Sequence, residues 1–304
     1  MSALQIAPEV QAALERGSPI VALESALITH GFVYSANVRI TREMAEAVRA
    51  EGALPAVIGV WEGRPTVGLS ETQVEALAQD EQAVKVSVRD LPLTRLRGRH
   101  GGTTVAATMT LAHRAGIRVF ATGGIGGVHR GHPEDVSADL PALASIPLIV
   151  VCAGAKAILD LPRTLEFLET WGVPVLGWGT EAFPAFYSRS SGLSVDLRVE
   201  EAEEVVAAYR RQRHLDLPQG LLVTAPVPPD AEVPAGELAA LIERAVQEAD
   251  AQRISGRAVT PFLLARLVEL TGGRTRVANE RLLVNNARVA GQIAGALHRG
   301  MGSG

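Results

Sequence analysis

A chain of 304 residues that is 47% hydrophobic and 20% charged can bury a sizeable core, which excludes a disordered or fibrous protein. Its formal net charge of −4 argues against a nucleic-acid partner, which asks for a basic face. A single cysteine, Cys152, leaves no disulfide framework and no cysteine-built zinc site.

In chain order, short apolar runs alternate with longer amphipathic ones. Residues 19–24 (PIVALE), 55–61 (PAVIGVW), 84–87, 117–122 (IRVFAT) and 147–152 (PLIVVC) read as strands buried on both faces. Residues 173–178 and 220–225 are further strand candidates. Helical periodicity covers 36–51, 71–79, 103–115, 161–171, 200–213, 236–252, 261–270 and 276–298. Strands alternating with helices require crossover connections. The expected fold is therefore α/β: a single-domain α/β/α sandwich over residues 1–304, with a central mostly parallel or mixed sheet and a helical C-terminal region. No apolar run approaches the ~18 residues of a membrane span, and the start lacks a leader pattern. The expectation is a cytoplasmic protein without a membrane partner.

Of the 29 basic residues only two are lysines, Lys85 and Lys156; the rest are arginines. A chain that uses arginine wherever a solvated cation serves leaves its lysines as candidates for amine chemistry, because a guanidinium keeps its proton and is a poor nucleophile. Lys156 follows the strand PLIVVC through Ala153, Gly154 and Ala155, small residues that leave space at the strand's carboxyl end. Burial there would favour the free amine, as in imine-forming enzymes. A lysine snorkelling from a strand end is the competing reading. Lys85 sits in an apolar strand register, which suits an amine that meets an anion.

Other segments carry chemistry by position. Glu24 closes the first long strand and can act as general acid or base, or serve as a plain strand terminus. His30, six residues on, reads as a hydrogen-bonded structural histidine. GGTTVAAT (101–108) opens a helix with Thr103 and Thr104, and free N–H groups with hydroxyls there form an anion cradle or an ordinary threonine N-cap. GGIGGVHRG (123–131) is a poor dinucleotide fingerprint, since its third glycine position is His129, yet it places flexible backbone at a strand's carboxyl end, where α/β proteins bind ligands. EDVSAD (134–139) gathers three carboxylates that suit a hard cation such as Mg²⁺ or Mn²⁺, or the first turn of a helix.

The segments VALES, ITHG, KVSVRDLP, GTTVA, ATGGIGGVHRG, DVSADL, VVCAGAKAILD, PAFYSR, TPFLLARLVELTGG and NNA follow one another in this order, over roughly residues 6–298. On them the chain resembles the pseudouridine-5′-phosphate glycosidase, or indigoidine synthase A-like, family. That resemblance implies reversible cleavage of pseudouridine 5′-phosphate to uracil and ribose 5-phosphate, an α/β/α fold, a homotrimer and one divalent ion per subunit, usually Mn²⁺. It also implies Glu24 as proton donor and Lys156 as covalent nucleophile. Lys85, Val105, Ser137, Ala138 and Asp139 would contact substrate, with Asn279 as a further site position, and His129 joins them from the glycine-rich loop. The resemblance implies the aspartate of DVSAD, Asp135, as the metal ligand, with Glu134 as the alternative because only HPEDV separates HRG from SAD. Two rival classes stand beside this one. An imine-forming aldolase or isomerase would share the phosphate cradle and Lys156, and a non-catalytic nucleotide-binding regulator would leave Lys156 incidental.

Overall fold

The computed structural model describes residues 4–254 and 259–299. Among these residues, fourteen strands and eleven α-helices follow in chain order. They are β1 (Gln5–Ile6), α1 (Pro8–Glu15), β2 (Ile20–Leu23), α2 (Ala36–Ala50), β3 (Leu54–Trp61), β4 (Arg64–Val67), α3 (Glu71–Gln79), β5 (Val84–Val86), α4 (Thr94–Arg97), β6 (Gly101–Thr103) and α5 (Val105–Ala115). Next come β7 (Val119–Ala121), β8 (Val128–His129), β9 (His132–Val136), α6 (Asp139–Ser145), β10 (Ile149–Cys152), β11 (Leu159–Asp160) and α7 (Leu161–Thr170). The last are β12 (Val175–Trp178), β13 (Leu197–Val199), α8 (Ala202–His214), β14 (Leu221–Thr224), α9 (Ala235–Ala251), α10 (Val259–Leu270) and α11 (Arg274–Arg299).

One eleven-stranded sheet runs in the order β1-β4-β3-β2-β7-β10-β14-β12-β13, with β6 branching from β3 and β5 pairing β6. It is parallel except where β3 meets β4 and β6. Strands β2, β7, β10 and β14 are buried along their whole length, which is why they read as unbroken apolar runs. Helix α11 packs on both α2 and α8 and lies on β2, β7 and β10, while α5 packs on β2, β3, β4 and β6 and is joined by α6 to α7. The α/β reading with a mostly parallel sheet holds. Among the described residues, no helix is long and apolar enough to cross a membrane.

The sequence reading missed several short elements. β4 contains Pro65 and closes a tight hairpin through Glu62 and Gly63, both at positive φ. The helix expected from residue 103 begins at Val105, because Thr103 pairs with Val86 as the end of β6 and Thr104 is the N-cap. The acidic run 134–139 is divided: Glu134 and Asp135 lie on β9, whereas Asp139 opens α6. Cys152 is fully buried at the end of β10, where desolvation pushes its thiol up to about 12, so it behaves as a small apolar core residue.

Candidate active site

The register of three neighbouring parallel strands assembles the centre. Leu23 of β2 lies beside Ala121 of β7, and Ala121 beside Val151 of β10. The next residues along each strand, Glu24 and Thr122, therefore emerge side by side, and the Thr122 hydroxyl donates to Glu24 Oε1. Beyond β10 the chain stays stitched to the β7 loop: Ala153 N donates to Gly123 O (2.8 Å), Ile125 N to Gly154 O (3.1 Å) and Lys156 N to Ile125 O (3.1 Å). Gly154 takes φ +80, and a side chain there would collide with the Pro184 carbonyl, so glycine is required for the strand to turn Lys156 outward.

Glu24 and Lys156, both half-buried, open on a cavity of about 1030 Å³, large enough for a nucleotide. Burial raises the Glu24 carboxyl above its ordinary range and the nearby Asp139 adds to this, while Lys156, the Thr122 hydroxyl and Lys85 act the other way without cancelling it. A carboxyl whose protonated form is favoured by burial is suited to donate a proton.

Lys85, Thr104, Val105, His129, Asp135, Ser137, Ala138, Asp139 and Asn279 all line this cavity with Glu24 and Lys156. Thr103 does not. Its side chain is fully buried, its hydroxyl donates to Ile58 O (2.7 Å), and its N–H donates to Ser25 Oγ (3.0 Å). Both groups are used inside the fold, which corrects the reading of Thr103 as part of an anion cradle.

The start of α5 is likewise occupied. Asp139, almost wholly buried, accepts Ala106 N–H (2.9 Å) on one oxygen and Gly126 N–H (2.8 Å) on the other, while Ala107 N–H donates to Thr104 Oγ1 (3.4 Å). A carboxylate of the protein itself thus holds the helix N-terminus and ties it to the glycine-rich loop. At Gly126 a side chain would strike Ser137, so the close approach needs glycine. Lys85, Arg89, Ser87, Thr29 and His30 also line this cavity. His30 is exposed there rather than structural, with its Nδ1 hydrogen-bonded to the Thr29 hydroxyl (2.5 Å); desolvation and the Lys85 ammonium hold its imidazole below the ordinary range.

Asp135 is 56% exposed, and His129 Nε2 lies 4.0 Å from its Oδ2. Among the described residues no three His, Cys, Asp or Glu side chains form a metal-binding group. The donor set fits a hard divalent ion anchored by one carboxylate and otherwise held by water, and does not fit a site closed by protein ligands. Glu134 does not line the cavity; it is 75% exposed and pairs with His132 at 3.5 Å.

Sequence reasoning missed Thr122, whose role exists only through strand register, and Asn286 of α11, whose buried amide donates to Thr122 O (2.8 Å) and Gly123 O (3.2 Å). It also assigned nothing to Phe186 and Tyr187 of PAFYSR, which line the cavity. The signals available were the NNA and PAFYSR segments themselves.

Comparison with known proteins agrees over nearly the whole chain. The family described as indigoidine synthase A like protein matches residues 9–296. A pseudouridine-5′-phosphate glycosidase of Methylobacterium nodulans is 55% identical over 99% of this chain and 90% of its own length, and one of Paracoccus denitrificans is 52% identical over 97% and 98%. The crystal structure of an indigoidine synthase A-like protein from Thermotoga maritima superposes with a TM-score of 0.89 at 40% identity, covering 97% of both chains. The prealnumycin C-glycosynthase AlnA, solved in complex with ribulose 5-phosphate, superposes with a TM-score of 0.91 at 37% identity, covering 99% of both. This chain belongs to the indigoidine synthase A-like family.

Proposed function

We propose that this chain catalyses the reversible cleavage of pseudouridine 5′-phosphate and water to uracil and ribose 5-phosphate through an imine on Lys156. The observation that carries the proposal is the pairing of a carboxyl raised by burial, Glu24, with an amine, Lys156, in one nucleotide-sized cavity that also exposes Lys85. Relatives about half identical to this chain bear that activity in their names, and the C-glycosynthase neighbour binds a pentulose phosphate.

The chemistry explains the pairing. Ordinary glycosidases expel an oxygen or nitrogen leaving group between two carboxylates. Here the sugar is bonded to a base carbon, and direct heterolysis would release a poor carbanion. Glu24 instead gives its proton to the ribose ring oxygen as the C1′–O4′ bond opens. The Lys156 amine then adds to C1′, forming a C–N bond. Protonation of the base carbon lets the C1′–C5 bond break. Its electron pair restores the uracil ring, and the nitrogen lone pair closes the imine. Water hydrolyses the imine, returning Lys156 and releasing ribose 5-phosphate.

Thr122 orients Glu24, Lys85 with Arg89 and His30 receives the phosphate, and Asp139 keeps the glycine-rich loop in place. A divalent ion, Mn²⁺ by family resemblance, would rest on Asp135 beside His129 and supply charge that orders water and acidic groups at the cavity mouth. We extend the reading to a homotrimer, which a sedimentation mass of three chains would support.

The test is to incubate the chain with uracil and ribose 5-phosphate, with and without Mn²⁺, and follow conversion by ultraviolet absorbance and anion exchange. Formation of pseudouridine 5′-phosphate, and release of uracil in the reverse assay, are expected. Carbonyl products without uracil would indicate the aldolase or isomerase class, and tight nucleotide binding without turnover a regulator.

A further inference from the structure

The segment PAFYSR has so far no role, yet it is built against the nucleophile. Phe186 N donates to Ala153 O (3.0 Å), and Ala185 bridges Gly154, so this segment is sewn to the stretch that carries Lys156. Phe186 adopts φ +64, a conformation that bulky L-residues rarely take and that tends to persist at functional sites. Its ring lies against Gly124, leaving no room for a side chain there. Tyr187 follows, fixed by Val233 N donating to its carbonyl (2.9 Å), with its ring edge-on to Phe186 at 4.7 Å.

Tyr187 is only 1% exposed, and the wall it forms belongs to the cavity. Among the described residues its hydroxyl meets no hydrogen-bond partner. The hydroxyl is not fully enclosed, so it stays open to an acceptor on a ligand in the cavity. Burial also raises this phenol, so it stays neutral and acts as a donor. Phe186 packs against it, and the same cavity is lined in part by the apolar Leu264, Val268 and Leu283. A neutral donor set among apolar side chains suits a flat, uncharged heterocycle with carbonyl acceptors, whereas the phosphate is better served by Lys85 and Arg89.

We infer that Phe186 and Tyr187 form the base subsite, with the Tyr187 hydroxyl donating a hydrogen bond to a carbonyl oxygen of the pyrimidine. This rests on the nucleotide reading above and deepens it. A site built to hydrogen-bond one group discriminates strongly against analogues that lack it. Tyr187 is then the residue that distinguishes the carbonyl edge of the base from a merely flat aromatic ring.

The experiment measures binding in the Lys156→Arg chain, which holds ligand without turnover, with and without Tyr187→Phe. Pseudouridine 5′-phosphate should bind about tenfold more weakly when the hydroxyl is removed, the worth of one neutral hydrogen bond, while ribose 5-phosphate binds unchanged. In otherwise native chains, Tyr187→Phe should raise KM for uracil by a similar factor and leave KM for ribose 5-phosphate alone. It should also abolish the wild-type penalty for replacing one carbonyl oxygen of uracil by sulfur. Equal weakening of both ligands, or no weakening of either, overturns the inference while leaving the proposed activity standing. A wild-type chain that neither binds nor cleaves the nucleotide overturns both.

Discussion

Replacing Asp139 by Asn separates two roles that its position allows, a contact to substrate and a clamp inside the protein. The carboxylate is 6% exposed and accepts one N–H on each oxygen, from Gly126 at 2.8 Å and Ala106 at 2.9 Å. Asn keeps one acceptor and turns an NH₂ toward the other N–H, so one charge-assisted hydrogen bond is lost and a buried donor is left unpaired. Hydrogen bonds to charged groups contribute about 1.5–3 kcal/mol and an orphaned donor adds to that, which sets the destabilisation at about 3 kcal/mol. With an unfolding entropy of about 2.1 cal/mol/K per residue, a chain of 304 residues loses about 1.6 °C for each kcal/mol, so Tm should fall by about 5 °C. A second readout follows from charge. Asp139 helps to raise Glu24, so its neutralisation lowers the Glu24 carboxyl, and the alkaline limb of the cleavage pH–rate profile should move to lower pH. The assays are thermal melting and kcat/KM against pH. An Asn variant that melts like wild type, with an unshifted limb and a raised KM, would show that Asp139 serves substrate and that its internal bonds are incidental.

Lys156→Arg keeps the charge but not the nucleophile, so the fold should survive while turnover disappears, and borohydride during wild-type turnover should leave a pentose phosphate adduct on Lys156 by mass spectrometry. Glu24, raised by burial, contributes stability that is lost as the pH climbs through its folded pKa. Glu24→Gln should therefore melt progressively higher than wild type above the ordinary carboxylate range, with the gap closing toward acid; a constant gap would contradict the raised pKa. For Lys85→Ala, loss of a charge-assisted contact of about 1.5–3 kcal/mol should raise KM for pseudouridine 5′-phosphate ten- to a hundredfold, with little further effect on unphosphorylated pseudouridine. Chelation should reversibly remove activity, and calorimetry with Mn²⁺ should show weakened binding in Asp135→Asn but not in Glu134→Gln; the reverse pattern would move the ligand by one residue.

The sheet was legible where burial on both faces writes a continuous apolar run, as in IVAL, VFA and IVVC, and the two lysines were legible because arginine fills every other basic position. Thr103 was misread because its strand has only three residues, two of them glycine, and exists through pairing with Val84–Val86, which local periodicity does not report. The anion cradle at α5 was misread for a related reason: the group that occupies it, Asp139, comes from 33 residues further along the chain. Thr122 and Glu24 are 98 residues apart and meet only through the register of β2 on β7. Phe186 and Tyr187 lie outside regular structure, where neither a period nor a turn signature announces a positive φ.

The closing helix makes catalysis a property of the finished chain. Glu24, Lys85 and Lys156 are all synthesised before α11, but the start of the glycine-rich loop is held by Asn286, 164 residues beyond Thr122, and Asn279 and Leu283 of the same helix complete the cavity wall. Contacts so distant along the chain close late in folding, because the loop entropy must be overcome before they are made. A nascent polypeptide that already carries Glu24, Lys85 and Lys156 therefore has no assembled pocket around them until α11 has been made.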